Sequence, residues 1–369
     1  MKVTRTDCLI IGGGINGLLV ARELVASGCS VTLLDRSKFG QEASWAGGGI
    51  ISPLYPWRYA DAVTVLARWA QSFYPSLQAN LLAETGIDVE LVASGLLMLD
   101  ADDAETAKRW AIANETPMED LLAAELRIRE PHLGPDFKHG LWMPRVANIG
   151  NPRLLKALVI GLLEQSRVSL NSHCEVQGFR VANAHIESVR AIVNGETREF
   201  GADRFIVCAG AWSRALLRES DPGVEVAPVK GQMLLFRLQQ PLNRSILLTA
   251  GRYVIPRQDG HLLVGSTLEH CGFDKQATAQ AREVLLKSAR ELLPALKENE
   301  PIAQWSGLRP GTQHGIPYIG RSRLWENLYV NTGQYRNGLV LAPASARLLV
   351  DILLERTPIV DPRPYALPA

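Results

Sequence analysis

The sequence predicts an α/β fold in which a Rossmann-like, parallel-sheet domain is interleaved along the chain with a second, strand-rich α+β domain. Three observations carry this expectation. The chain opens with a strand–turn–helix–strand unit, "DCLIIGGGINGLLVARELVASGCSVTLLDRS", an order that implies a parallel sheet. Strand patterns with turn signals recur between residues 168 and 268, and no change of composition marks a linker between units. The length of 369 residues suffices for two domains, or for one large domain with an inserted layer.

The elements follow in order. Leu9–Ile11 is a short buried strand. Asn16–Ser27 is a helix whose apolar positions are Leu18, Leu19, Ala21, Leu24 and Val25, ended by Gly28. Ser30–Leu34 is a second strand with Asp35 at its carboxyl end. Residues 61–85 read as a long helix that Pro75 must kink or split. Residues 89–99 read as strands around Gly95, and helices are expected over 101–114 and 118–127. Pro152–Glu164 is a helix with Asn151 as its cap and Pro152 at its first position. Residues 168–200 alternate apolar and polar around "NAH" and "NGE", which reads as a β-meander, and "RFIVCAGAWS" runs from a buried strand into a helix. "YVIPR" and "HLLVGST" form a hairpin through Asp259-Gly260. Helices over 276–293 and 336–354 complete the pattern, the last packed under the sheet.

Composition excludes several classes. Hydrophobic residues at 47% and charged residues at 21% are ordinary for a globular chain. Thirty-nine Lys and Arg against 38 Asp and Glu, with no basic block, give no footprint for nucleic acid. The five cysteines are scattered with no CxxC pair, which predicts reduced, buried, structural thiols and no metal site. "MKVTRTDCLIIGGG" lacks signal-peptide anatomy, and the longest uncharged window, Ala43–Trp57, is broken by glycines and prolines. A soluble cytoplasmic protein without a transmembrane segment is expected.

Chemistry enters with Gly12-x-Gly14-x-x-Gly17. Gly12 permits a tight turn, Gly14 lets the backbone approach a pyrophosphate, and Gly17 allows helix to pack on strand. Ile15 and Asn16 begin the helix, whose free N–H groups and partial positive charge suit phosphates. Asp35 follows Gly17 by 18 residues, where a carboxylate binds ribose hydroxyls. Arg36 has two readings, a 2′-phosphate partner or a cover for adenine, and the adjacent carboxylate argues against the first. The fingerprint does not separate FAD from NAD. "SWAGGGI", residues 44–50, suits a backbone lying against a flat ring system, although it also reads as a plain loop.

These residues resemble the flavin-dependent amine oxidases of the D-amino acid oxidase type, and within them most closely the glycine oxidase branch tied to thiamine synthesis. Five ordered blocks carry the resemblance over nearly the whole chain: "IIGGGINGLLVARELVASG", "ASWAGGGI", "FIVCAGAWS", "YVIPR" with "LLVGST", and "GLRPGTQHGIPYIG" with "NTGQYRNGLVLAPASA". It implies an FAD-binding domain of residues 1–84, 146–222 and 305–369. A substrate domain on a mostly antiparallel sheet would comprise 85–145 and 223–304. Gly12, Gly14, Ile15, Asn16, Gly17, Asp35 and Arg36 then correspond to pyrophosphate, ribose and adenine contacts. Ser44, Ala46, Gly47 and Gly48 correspond to flavin contacts, and Val176, Ala209 and Gly210 to further nucleotide contacts. Gly333, Arg336, Asn337, Gly338 and Leu339 correspond to the loop and helix start along the flavin's pyrimidine edge.

Tyr253 and Arg309 match the family's carboxylate-binding pair, and Arg336 a position bordering the amine and the flavin. Alone, Arg309 reads as half of a structural ion pair, Tyr253 as a core aromatic and Arg336 as a helix-start cation. His314 is expected to be structural, and no acid or base is expected. Tyr55, Trp57 and Leu268 are candidates to close the pocket. The resemblance implies oxidative deamination of glycine, sarcosine or small D-amino acids such as D-alanine. Hydride passes to flavin, and an imine or 2-oxo acid such as glyoxylate, ammonia and, through O₂, H₂O₂ result. It also implies non-covalent FAD, since residues 304–338 hold no cysteine, and a homotetramer. Alternatives within the class are a D-amino acid or sarcosine oxidase, or a quinone-linked dehydrogenase. Outside it stand an NAD-dependent dehydrogenase and a non-catalytic nucleotide-binding module.

Overall fold

The computed structural model describes residues 5–368; residues 1–4 and Ala369 lie outside that range. Two eight-stranded sheets organise the described residues. In the first, Arg5–Ile11 runs parallel to Val31–Leu34 on one side and to Glu196–Val207 on the other. Val168–Asn171 and Leu328–Thr332 extend the parallel order outward, and Tyr318–Arg321 closes one edge antiparallel. "VTLL" at 31–34 is buried throughout, as a parallel strand covered on both faces must be. Helices Ile15–Ala26, Asp61–Thr85, Asn151–Leu163 and Gly338–Leu353 share one apolar core against one face. The meander Cys174–Ala182, His185–Val193, Glu196–Val207 contributes to the core on the other. It turns at the expected places, through Asn183-Ala184 and Asn194-Gly195, all four at positive φ.

The second sheet runs in the order Ala303–Gly311, Ala227–Arg237, His261–Gly265, Arg252–Pro256, Ile246–Thr249, Leu96–Leu99, His139–Met143, Glu119–Leu122. All its pairs are antiparallel except Ile246–Thr249 with Leu96–Leu99. The Asp259-Gly260 hairpin forms as expected. Helix Ala279–Leu292 buries Leu285, Ala289 and Leu292 on this sheet and is capped by Thr278, whose hydroxyl accepts from Ala281 N–H.

Several expectations need correction. Residues 61–85 form one helix through Pro75, whose ring is exposed. Residues 119–122 are an edge strand, not helix, because pairing with His139–Met143 outweighs local propensity; the helix there spans Ala123–Arg129. Asn151 is no cap: Gly150 holds that position, and the Asn151 amide instead binds the carbonyls of Ser44 and Gly47. The final helix starts at Gly338, after a single turn at Tyr335–Asn337. Strand Ala303–Gly311 pairs along the second sheet, so the boundary expected at 304/305 falls inside a continuous strand. Cys8, Cys174 and Cys208 are buried, but Cys271 is exposed on an irregular segment, 266–278.

Candidate active site

A cleft of about 390 Å³ opens beyond the carboxyl ends of the central parallel strands, at Ile11 and Leu34, and reaches across to the second sheet. At its first end Gly12 has φ 105°, and a Cβ there would run into the Cys208 carbonyl; a Cβ at Gly17 would run into the Gly12 carbonyl. These two glycines let helix and strands close on each other. Gly14, Ile15 and Asn16 line the cleft at the start of a 12-residue helix whose N-cap, Gly14, has no side chain of its own to cap it. Ser44 Oγ accepts from Ile15 N–H at 2.9 Å. The helix dipole and first-turn donors suit a diphosphate, and a side chain at 14 would fill the gap before Ser44.

Asp35 accepts from Gly13 N–H at 2.7 Å through one oxygen and from Ser37 N–H at 2.7 Å through the other. Burial pushes its pKa up against those bonds. The Arg36 guanidinium lies 3.6 Å over the Trp212 ring and meets Glu42 at 3.0 Å. Phe273 also stacks on Trp212, and Lys275 reaches Glu42 at 3.1 Å. The segment 266–278 thereby straps the second sheet to the nucleotide end of the cleft. Val176, Ala209 and Gly210 line the same end.

The middle of the cleft is floored by residues 43–49. Here the carbonyls are held from behind. Asn151 Nδ2 donates to Ser44 and Gly47 (2.9 and 3.0 Å), Trp305 Nε1 to Ala46 (3.0 Å), and Ile149 N–H to Gly49 (2.8 Å). A Cβ at Gly48 would sit 2.9 Å from the Tyr253 ring, so a flat, side-chain-free floor is built in. Glycines, capless helix and flat floor together fit an extended dinucleotide with a planar ring system.

At the far end Arg309 donates to Ser266 Oγ at 2.6 Å and to the Thr267 carbonyl at 3.2 Å. Its guanidinium lies flat over Gly231, where any side chain would displace it. Burial pushes its pKa down, and Arg336 adds to that while Tyr253 opposes it. Among the described residues no carboxylate lies within 4 Å of Arg309 or Arg336. Arg336 donates to the Gly251 carbonyl at 3.3 Å. Among the described residues the Tyr253 hydroxyl has only Met233 Sδ as a hydrogen-bond partner, at 3.5 Å. Two cations without anions and a phenol with a weak partner line one end of the cleft, an arrangement that attracts a small carboxylate.

Most residues expected from the sequence meet along this cleft. Gly17, Gly333 and Asn337 do not line it: Gly17 packs beneath, Gly333 turns at φ 86° toward Thr312, and Asn337 is buried behind. Tyr55, Trp57 and Leu268 do not close it. Tyr55 stands under Arg58 with its hydroxyl accepting from Gly251 N–H, Asp103 holds the Trp57 indole, and Leu268 is exposed. Ile50, Leu54, Met233 and Tyr335 line the cleft instead. His314 is exposed. Sequence reasoning missed Asn151, Trp212 and Gly231. Asn151 was hidden by its resemblance to a helix cap, Trp212 stood beside a recognised turn, and nothing local marks Gly231.

The family model described as FAD dependent oxidoreductase (DAO) matches residues 7–352. A glycine oxidase of Pseudomonas aeruginosa is 48% identical over 358 residues, covering 97% of both chains. The bifunctional protein ThiO/ThiG of Trichormus variabilis is 31% identical over 95% of this chain and 53% of its own length. The crystal structure of glycine oxidase from Geobacillus kaustophilus superposes with a TM-score of 0.91 at 28% identity, covering 99% of this chain and 98% of that one.

Proposed function

The chain belongs to the FAD dependent oxidoreductase family, and on that premise we propose that it is a glycine oxidase: glycine + O₂ + H₂O → glyoxylate + NH₃ + H₂O₂. The observation that carries the reading is Arg309, a half-buried cation facing the cleft beside Tyr253 with no counter-charge among the described residues. FAD, when bound, would supply the two-electron acceptor for the hydride of the substrate Cα, with O₂ as the final oxidant. The residues on the fingerprint loop, the 43–49 floor and the turn at Ala209-Gly210 would hold it without a covalent link.

The protein's own part is positional. Arg309 takes the substrate carboxylate through two parallel N–H bonds, and the Tyr253 hydroxyl adds a third. The amine lies toward Arg336 and the Gly251 carbonyl. Two nearby guanidinium groups disfavour a third positive charge, so they lower the amine's pKa and favour the neutral form that must lose hydride. No histidine or carboxylate side chain is needed as base. Ile50, Leu54, Met233 and Tyr335 bound the space beside the carboxylate, which suits glycine, sarcosine and D-alanine. Release of the imine before hydrolysis would serve the thiazole moiety of thiamine, a reading supported by relatives in which a ThiO part is joined to a ThiG part. A cytoplasmic homo-oligomer accompanies this reading.

The test is kcat/KM for glycine, sarcosine, D-alanine and D-proline with peroxide read-out on the yellow holoprotein. Glycine among the better substrates, with stoichiometric peroxide, is expected. A clear preference for D-proline or larger D-amino acids, or turnover only with a quinone, would overturn it.

A further inference from the structure

Arg257, the fifth residue of "YVIPR", does not line the cleft. Arg257 is half-buried beneath the cleft floor, its guanidinium donating to the Asn148 side-chain oxygen at 2.6 Å and to the Gly48 carbonyl at 3.0 Å. Among the described residues no carboxylate lies within 4 Å of it, and burial pushes its pKa down to about 10. It remains charged at neutral pH. A partly desolvated cation whose direct partners are all neutral is costly to keep for fold stability alone.

Its location explains the cost. Ser44, Ala46, Gly47 and Gly49 have carbonyls held by Asn151, Trp305 and the Ile149 N–H, all neutral donors. Gly48, whose Cα faces the Tyr253 ring, is the one residue of this floor held by a charge. Asn148 is itself fixed, donating to Ser94 Oγ at 2.9 Å and bridging Val92 and Ile50. Arg257 is therefore clamped between an anchored amide and the floor at the substrate end.

We propose that Arg257 is a positioning residue that aims the Gly48 backbone at the flavin and, as a cation behind the floor with no carboxylate in direct contact, favours the electron-rich reduced cofactor. The inference rests on FAD binding and not on which amine is oxidised. Carbonyl and charge act separately, so two variants part them. Arg257→Lys keeps the charge and loses the fork that spans Asn148 and Gly48. FAD affinity, titrated on apoprotein by flavin fluorescence, is expected to fall about tenfold, as for loss of a charge-assisted bond, with the reduction potential unchanged. Arg257→Met loses both: affinity falls at least as far and the potential, measured by dye equilibration, shifts negative. Wild-type affinity in Arg257→Lys overturns the positioning role, and this variant decides that role even where Arg257→Met does not fold. An unshifted potential in Arg257→Gln or Arg257→Met overturns the electrostatic role. A lower Tm with both cofactor measurements unchanged reduces Arg257 to a scaffold residue and overturns the proposal.

Discussion

Substituting methionine for Arg309 separates a binding role from a folding role. In the structure the guanidinium has two protein partners, Ser266 Oγ and the Thr267 carbonyl, and no anion. Methionine keeps the buried stem and removes the charge. The fold loses the bonds donated to the Thr267 carbonyl and to the Ser266 hydroxyl oxygen, a cost of about 1–3 kcal/mol. It is also relieved of an unpaired, half-buried cation, a gain of similar size. The two offset, so Tm is expected to stay within about 5 °C of the parent. The carboxylate of the substrate has no such compensation. Loss of a buried charge contact costs about 2–5 kcal/mol, which is roughly a 30- to 5,000-fold fall in kcat/KM. Steady-state peroxide kinetics with glycine and with ethylamine, which lacks the carboxylate, provide the assay, on protein whose FAD content is matched by absorbance. Glycine loses its advantage over ethylamine. A glycine kcat/KM within threefold of the parent would refute the reasoning. So would a large drop in Tm, which would make Arg309 a structural cation after all.

Further outcomes are expected elsewhere. Gly231→Ala puts a methyl where the Arg309 guanidinium lies; the shifted clamp should cost about tenfold to a hundredfold in kcat/KM for glycine, while FAD titration of the apoprotein gives the parental Kd. Gly14→Val fills the gap between helix start and Ser44, and purified protein should be colourless, with FAD affinity down by at least about a hundredfold; a yellow Gly14→Val protein contradicts the fingerprint reading. Asp103 accepts from Arg58 and the Trp57 indole, and the Arg58 bond holds its carboxyl below the usual 3.8. A depressed pKa stabilises the fold above the ordinary value and is lost as pH falls through the folded one, so Asp103→Asn should flatten the fall of Tm below about pH 4. Glu42→Gln breaks two half-exposed pairs, to Arg36 and Lys275. FAD release should quicken a few-fold in low salt, by about 1 kcal/mol or less, and the effect should vanish in high salt.

How much of this was legible beforehand varies with the range of the interaction. The βαβ opening, the two left-handed turns of the meander and the Asp259-Gly260 hairpin are set by near neighbours. Glycine, asparagine and alternating apolar residues state them outright. The capless helix start at Gly14 and the cation at Arg309 could be named from their motifs. Their surroundings could not. Asn151 looks like a cap in "GNPRLL" because a cap and a loop clamp use the same amide, and only the fold brings residues 44 and 47 to it. Residues 119–122 have a helical composition that a neighbouring strand overrides. Tyr55, Trp57 and Leu268 are apolar enough to wall a pocket, yet Arg58, Asp103 and solvent claim them.

The sequence by itself determined the nucleotide-binding topology, because glycines and an acid at fixed short spacing leave the backbone few choices. The flavin class and the carboxylate role of Arg309 followed only from the resemblance of the ordered motifs to a family. The tertiary structure alone decided that Arg309 has no anionic partner among the described residues, that Gly231 makes room for it, and that Arg257 holds the floor from beneath. Those facts join residues tens to hundreds of positions apart. Whether a charge is paired or free depends on what is missing from its surroundings, which no local pattern records.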